Sequence, residues 1–160
     1  MNRADSTKGQ TMNTRKHVHE EVFAATSEQL FALLHTPSAI CVWWGAARAI
    51  VLAKQGGIWI AAWGDNEDSP DYITSATIEV FDPPRRMMIG DFRYHAKTGP
   101  LPFEADFTTE FTVEPHPDGS LLRVVQDGFP CESVADEFYA GCQMGWRNTF
   151  AGIRRYIEER

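Results

Sequence analysis

The sequence is poor in cysteine and has no apolar run long enough to cross a membrane. Its three cysteines, Cys41, Cys131 and Cys142, are an odd number without Cys-x-x-Cys spacing, which disfavours a disulfide scaffold and a zinc site. A transmembrane helix needs about 18 consecutive apolar residues, and no run approaches that length. The first residues also lack the apolar core of a signal peptide. A cytoplasmic protein without a bound metal is therefore expected.

Positive charge is also scarce: 15 Lys and Arg residues stand against 22 Asp and Glu residues, and the net charge is −7. The basic residues are scattered, so neither nucleic acid nor an anionic membrane surface is expected as a partner. The chain has no glycine-rich phosphate loop, no Gly-x-Ser-x-Gly motif and no paired-carboxylate signature, so no cofactor is expected. This balance favours small molecules or other proteins as partners, and it is compatible with a homodimer.

The sequence is rich in apolar and aromatic residues. Hydrophobic residues make up 43% of the chain, and the aromatic residues include five Trp and ten Phe. Such a composition can build a core, and it suits a fold that lines a cavity with rings. Residues 1–15 are polar and have no hydrophobic period, so they predict a disordered tail. Residues 16–160 have the size of a single domain.

Short segments of alternating apolar residues, separated by Gly-Gly, Pro-Pro and Asp-Gly turns, predict six to seven antiparallel strands. Two short helices are expected after the first strand. The first begins with a capping box, in which Thr26 and Gln29 bind each other's backbone N–H groups, and Pro37 ends it. The predicted strands span 16–25, 47–53, 57–63, 72–81, 86–95, 106–113 and 120–127.

A long C-terminal helix is predicted over 134–159, with Ser133 as its N-cap. From Val134 onward apolar residues recur every three or four positions and form a broad face. Gly141 and Gly145 lie on this face although glycine destabilises a helix, which predicts that another backbone approaches them. So broad an apolar face needs a curved sheet to cover it. The expected fold is α+β of the helix-grip type, a curved antiparallel sheet around the C-terminal helix with an apolar cavity between them.

Several short motifs occur in an order that is more informative than any one of them. They are Trp43-Trp44-Gly45, Gly56-Gly57-Ile58-Trp59, Glu79-Val80, Asp82-Pro83-Pro84-Arg85-Arg86-Met87, Phe107-Thr-Thr-Glu-Phe111, Gly119-Ser-Leu-Leu-Arg123, Asp127-Gly128-Phe129 and Gly145-Trp146. Over residues 16–159 the chain resembles the START-like superfamily, and within it the homologues of the C-terminal domain of the activator of the heat-shock-protein ATPase. The resemblance implies the helix-grip fold. It bounds function only loosely, because the superfamily includes lipid carriers, hormone receptors, polyketide cyclases and toxin–antitoxin components as well as co-chaperones of the stress response.

One strand departs from these relatives, which carry an aromatic residue near the position of Asp91. Strand alternation places Ile89, Asp91, Arg93 and His95 on one face. If that face looks into the cavity, Asp91 and Arg93 form a polar pair that could orient a ligand, and with His95 could polarise a carbonyl group. The alternative is a set of solvent-facing side chains at the edge of the sheet.

Aromatic and apolar residues of the predicted inner surface supply the other binding candidates. Cys142 is included as cavity lining, because no histidine has a predictable place beside it to activate the thiol. No catalytic residue can be assigned from the sequence. The residues expected to bind a ligand are Trp44, Trp59, Trp63, Ile89, Asp91, Arg93, Phe111, Phe138, Cys142 and Trp146.

The first strand carries His17, His19 and Glu21 on one face. A His-x-His pair can bind a metal, but a site needs further ligands and none can be placed. The expected alternative is a polar outer face of the strand, and no metal site is predicted.

Three functions are compatible with this pattern. The first is a binding module that holds a small apolar or amphipathic molecule in the cavity. The second is a cyclase-like or other enzyme acting on such a ligand. The third is a chaperone-associated protein-interaction domain, which requires an exposed apolar or acidic patch.

Overall fold

The computed structural model of the protein describes residues 13–160. Seven strands form one antiparallel sheet in the order β1-β7-β6-β5-β4-β3-β2. The strands are β1 Thr14–Phe23, β2 Arg48–Val51, β3 Ile58–Trp63, β4 Tyr72–Asp82, β5 Arg86–Ala96, β6 Thr108–His116 and β7 Gly119–Pro130. The helices are α1 Ser27–Leu33, α2 Pro37–Trp43 and α3 Asp136–Glu158. This is the predicted helix-grip fold, since the sheet wraps around the long C-terminal helix. No helix of the described chain is long and apolar enough to cross a membrane.

The connection from β1 to β2 follows the local signals of the sequence. The Thr26 hydroxyl accepts a hydrogen bond from the Gln29 backbone at 3.1 Å, and the Gln29 side chain accepts one from the Thr26 backbone at 3.0 Å. The predicted capping box at the start of α1 is therefore present. Pro37 follows the end of α1 and also occupies the first turn of α2. Its missing N–H costs nothing there, because the first N–H groups of a helix have no partner within the helix.

The start of α3 differs from the prediction. Ser133 begins a 3-10 turn, Ser133–Ala135, and the N-cap of α3 is Ala135, which makes no side-chain capping hydrogen bond. The polarity of the first turn of α3 comes instead from Asp136 and Glu137, whose charges favour a helix N-terminus. The predicted disordered tail lies mostly outside the described residues, and β1 already begins at Thr14.

The inner surface of the sheet has a packed end and a hollow end. At the packed end, α1, α2 and the C-terminal half of α3 bury large side chains, among them Phe31, Ile40 and Ile153. Gly152 allows α3 to approach α2 closely, because a Cβ there would lie 2.3 Å from the Trp43 carbonyl oxygen. At the hollow end, the N-terminal half of α3 faces the sheet across a cavity.

Candidate functional site

The candidate site is a cavity of about 610 Å³ between the sheet and the N-terminal half of α3. Ten of its 22 lining residues are aromatic, which makes its walls rich in rings. The side chains of Trp44 and Trp146 stack at 6.3 Å between ring centroids, and Trp59 lies 5.3 Å from Trp44. The lining residues are Trp43, Trp44, Trp59, Thr74, Ile89, Phe92, Tyr94, Leu101, Pro102, Phe103, Phe107, Thr109, Phe111, Gln126, Val134, Glu137, Phe138, Gly141, Cys142, Gly145, Trp146 and Thr149.

Seven of the predicted binding residues lie in this wall, and whether they bind a ligand stays a prediction. They are Trp44, Trp59, Ile89, Phe111, Phe138, Cys142 and Trp146. Trp63 does not line the cavity. It packs edge-on against Trp44 at 5.0 Å and lines a smaller surface groove of about 210 Å³ beside β2.

Asp91 and Arg93 lie outside the cavity, so their predicted orientation is wrong. Thr77 of β4 pairs with Gly90 and Ser75 pairs with Arg93, which leaves two residues of β5 opposite one residue of β4. This bulge adds a residue to β5 and inverts the alternation beyond it. The side chains of Asp91 and Arg93 are 65% and 77% exposed.

The same bulge determines which side chains of β5 face the cavity in place of Asp91 and Arg93. Met87 and Ile89, before the bulge, are buried on the inner side, and after it Phe92 and Tyr94 line the cavity. His95 is exposed and lies outside the lining. The polar triplet proposed to polarise a carbonyl group therefore does not converge inside the cavity.

Two exposed glycines of α3 belong to the cavity lining. No heavy atom lies within 4 Å of the position that a Cβ would take at Gly141 or Gly145. The prediction that another backbone approaches these glycines is wrong, because a Cβ at either position would meet open space. The close backbone approach occurs at Gly152 instead, two turns later.

Two titratable groups of the cavity, Cys142 and Tyr94, favour their neutral forms. Burial raises the pKa of the Cys142 thiol to about 11, so it is protonated near neutral pH and is a poor nucleophile. Burial also raises the pKa of Tyr94, with smaller contributions from Tyr72 and Cys142. Within residues 13–160, the cavity wall contains no Lys, Arg or His side chain. Its one acidic residue, Glu137, is exposed.

A few polar side chains lie among the rings. Trp146 donates its indole N–H to Oε1 of Gln126 at 2.9 Å. Thr109 lies directly across from Gln126 in the pairing of β6 with β7, and Thr149 lies on α3 one turn after Trp146. Thr109 and Thr149 are only 2% and 4% exposed.

Sequence reasoning missed these polar residues and the aromatic loop before β6. Gln126 continues the inward alternation of Leu122 and Val124, and Thr109 precedes Phe111 by two positions, so alternation could have found both. Phe103 and Phe107 come from the segment between β5 and β6, which has no period. Phe103 packs against Phe138 of α3 at 5.7 Å, a contact that only the fold creates.

The histidines of β1 lie beneath α3, so the predicted polar outer face is wrong. His17 is 3% exposed and packs between Phe129 and Tyr139 at 4.9 and 5.1 Å. Its Nδ1 and the Nε2 of His19 share a hydrogen bond of 2.9 Å. Glu21 forms an ion pair with Arg154 of α3. In the described part of the chain, no group of three or more His, Cys, Asp or Glu side chains is placed to hold a metal ion.

Comparisons with known proteins agree with this fold. The solved structure of a Mesorhizobium loti protein matches with a TM-score of 0.73 at 19% identity, covering 91% of this chain and 98% of that one. A Rhizobium leguminosarum protein matches at 0.74 and 14% identity, covering 92% and 97%. A Rhodobacter sphaeroides protein matches at 0.73 and 18% identity, covering 92% and 99%. Identities this low establish the fold alone.

A search of curated proteins found no match. A family model does match: activator of Hsp90 ATPase homolog 1-like protein, over residues 24–158. That range begins at the end of β1 and ends with α3, so it includes every cavity-lining residue. The chain belongs to the family of activator of Hsp90 ATPase homolog 1-like proteins, within the START-like superfamily.

Proposed function

We propose that the protein is a binding module that holds a small apolar or amphipathic molecule between its sheet and α3. The cavity volume of about 610 Å³ falls within the usual range for small-molecule sites, roughly 300–1,000 Å³. The wall is rich in rings, with few polar groups. The residues proposed to contact the ligand are Trp44, Trp59, Ile89, Phe111, Phe138, Cys142 and Trp146.

The observation that carries this proposal is the placement of Gly141 and Gly145. Glycine in a helix interior costs about 1 kcal/mol relative to alanine. Neither position needs glycine for packing, because a Cβ would meet no atom within 4 Å. Both glycines line the cavity and are exposed to solvent. The proposal accounts for this cost in helix stability, since larger residues at these two lining positions would narrow the space open to a ligand.

The alternatives have less support. An enzyme would need a reactive group in the cavity, and Asp91, Arg93 and His95 lie outside it. The Cys142 thiol is protonated near neutral pH. A chaperone-associated role follows from the family description alone, and adding the purified protein to a chaperone and measuring ATP turnover would test it.

A thermal-shift screen tests the proposed function. The panel contains neutral polycyclic aromatics, flavonoids, sterols and fatty acids. A ligand present at 100 times its dissociation constant adds about 2.7 kcal/mol to the folded state, so we expect a saturable rise in melting temperature for at least one class. If no compound in the panel raises the melting temperature, the proposal is contradicted.

Gly145→Leu links any shift to the cavity. We expect the free energy of unfolding of this variant without ligand to be about 1 kcal/mol higher, because leucine is the better helix former. We also expect the variant to lose the ligand-induced rise in melting temperature. Ala140→Leu is the matched control, since it places the same side chain at an exposed position of α3 outside the cavity wall. Ala140→Leu should keep the ligand-induced rise in melting temperature. If the ligand changes the melting temperature of both variants equally, the ligand binds outside the cavity.

A further inference from the structure

One part of the cavity differs from the aromatic wall, and we call it the polar corner. It consists of the lining residues Thr109, Gln126 and Thr149, together with the indole N–H of Trp146. The first two face each other across β6 and β7, and Trp146 connects Gln126 to α3 through its hydrogen bond. The polar corner therefore combines side chains from three elements at one place in the wall.

The hydrogen bond from Trp146 fixes which end of the Gln126 amide is free. An indole N–H can only donate, so it selects the amide oxygen, at 2.9 Å. The amide nitrogen, with its two N–H groups, is left over. Among the described residues, no side-chain hydrogen bond engages that nitrogen or the hydroxyl groups of Thr109 and Thr149. The polar corner thus offers donors to whatever occupies the cavity.

The charge of the cavity limits what that occupant can be. A buried carboxylate needs a cationic partner, because its desolvation is otherwise too costly. The described cavity wall has no Lys, Arg or His, and its one charged residue is Glu137. With a net charge of −7, the protein also repels anions at a distance. Fatty acids and other carboxylates therefore fit the cavity poorly.

We infer that the cavity selects a neutral aromatic molecule bearing a carbonyl oxygen, which accepts a hydrogen bond from the Gln126 amide in the polar corner. This inference rests on the proposed function and adds the ligand class to it. The rings of the wall hold the aromatic body, and the polar corner fixes its orientation. A site built to donate to an oxygen discriminates against an analogue that lacks it, because the buried donor is then unpaired.

Three naphthalenes that differ in one group test the inference. The probes are acetylnaphthalene, isopropenylnaphthalene and naphthoate, all substituted at the same ring position. The first two have nearly the same shape and differ in a C=O or C=CH₂ group, whereas the third is an anion. Quenching of tryptophan fluorescence gives the three dissociation constants. We expect the ketone to bind about tenfold more tightly than either analogue, the ratio that one net hydrogen bond provides.

Variants assign this preference to the polar corner. Gln126→Met should make ketone and alkene bind equally, and Thr109→Val should reduce the preference without disturbing the Trp146 hydrogen bond. Thr112→Val is the control, because it makes the same change on β6 at a position outside the cavity wall. It should keep the wild-type ratio.

The outcomes separate this inference from the proposed function. Equal binding of the three probes, or preference for naphthoate, would overturn the inference and leave the binding module intact. A ketone preference that survives in Gln126→Met would overturn it as well. If no probe binds, the inference fails, and the proposed function fails with it only when the thermal-shift panel is also silent.

Discussion

His17 is a buried histidine whose surroundings oppose its charged form. Burial, and to a smaller extent the neighbouring His19, lowers the pKa of His17 from 6.5 to about 4. Its Nε2 atom is buried without a hydrogen-bond partner in the described residues. The rings of Phe129 and Tyr139 pack against it and offer no compensating charge. A proton on His17 is therefore much less favourable in the folded protein than in the unfolded chain.

This predicts a loss of stability in mild acid. Between pH 6.5 and about 4 the unfolded chain binds a proton that the folded protein does not, so stability is fully present above pH 6.5 and is lost as the pH falls through this window. We expect a loss of roughly 1–3 kcal/mol by pH 4.5. Urea unfolding at a series of pH values measures it.

His17→Phe is the informative variant for this effect, because it keeps a ring between Phe129 and Tyr139 and removes the titrating group. It should flatten the profile between pH 5 and 6.5, apart from the contribution of His19 and His35, whose pKa values burial also lowers. An unchanged profile would show that His17 is not the cause.

At the scale of elements, β5 shows how one extra residue redirects a strand. Asp91 has a φ of 49°, a left-handed conformation that non-glycine residues seldom adopt. The sequence predicts the strand itself, since alternation runs from Arg86 onward, and Gly90 inside it is a weak sign of a bulge that does not show which residue is the extra one. Asp91 in this role replaces the glycine that such bulges usually have, so the usual signal is missing.

Substitutions at Asp91 test the bulge directly. Asp91→Gly should be as stable as the wild type or more so, whereas Asp91→Val should lose about 1–2 kcal/mol, because a β-branched residue resists the left-handed conformation. Urea midpoints at a constant slope measure both. Loss of the ion pair with Arg93 is a minor effect, because both side chains are exposed. Equal stability of the two variants would contradict the assigned backbone conformation.

Other elements were predictable for physical reasons that can be named. The capping box at Thr26 is a local interaction, complete within four residues, so the sequence contains all of it. The long apolar face of α3 likewise predicts a helix that a sheet must cover. In contrast, the contact of Phe103 with Phe138 joins residues far apart in sequence, and no period or turn signal encodes it.

At the scale of the whole molecule, the two ends of α3 serve different purposes. Its C-terminal half packs tightly, with Gly152 against Trp43, and anchors the helix to the fold. Its N-terminal half carries Gly141 and Gly145 and leaves space. The sequence shows that these glycines are costly in a helix. Only the assembled fold shows that one lies in a close contact while two line a cavity.

The central claim is that a small molecule binds inside this cavity, and the indole N–H signals of the five tryptophans test it most directly. Trp146 lines the cavity and donates to Gln126, whereas Trp63 lies outside the wall and provides an internal reference. In an NMR titration with acetylnaphthalene we expect the Trp146 indole signal to shift and saturate while the Trp63 signal changes little. Saturable binding that shifts Trp63 and leaves Trp146 unchanged would contradict the account.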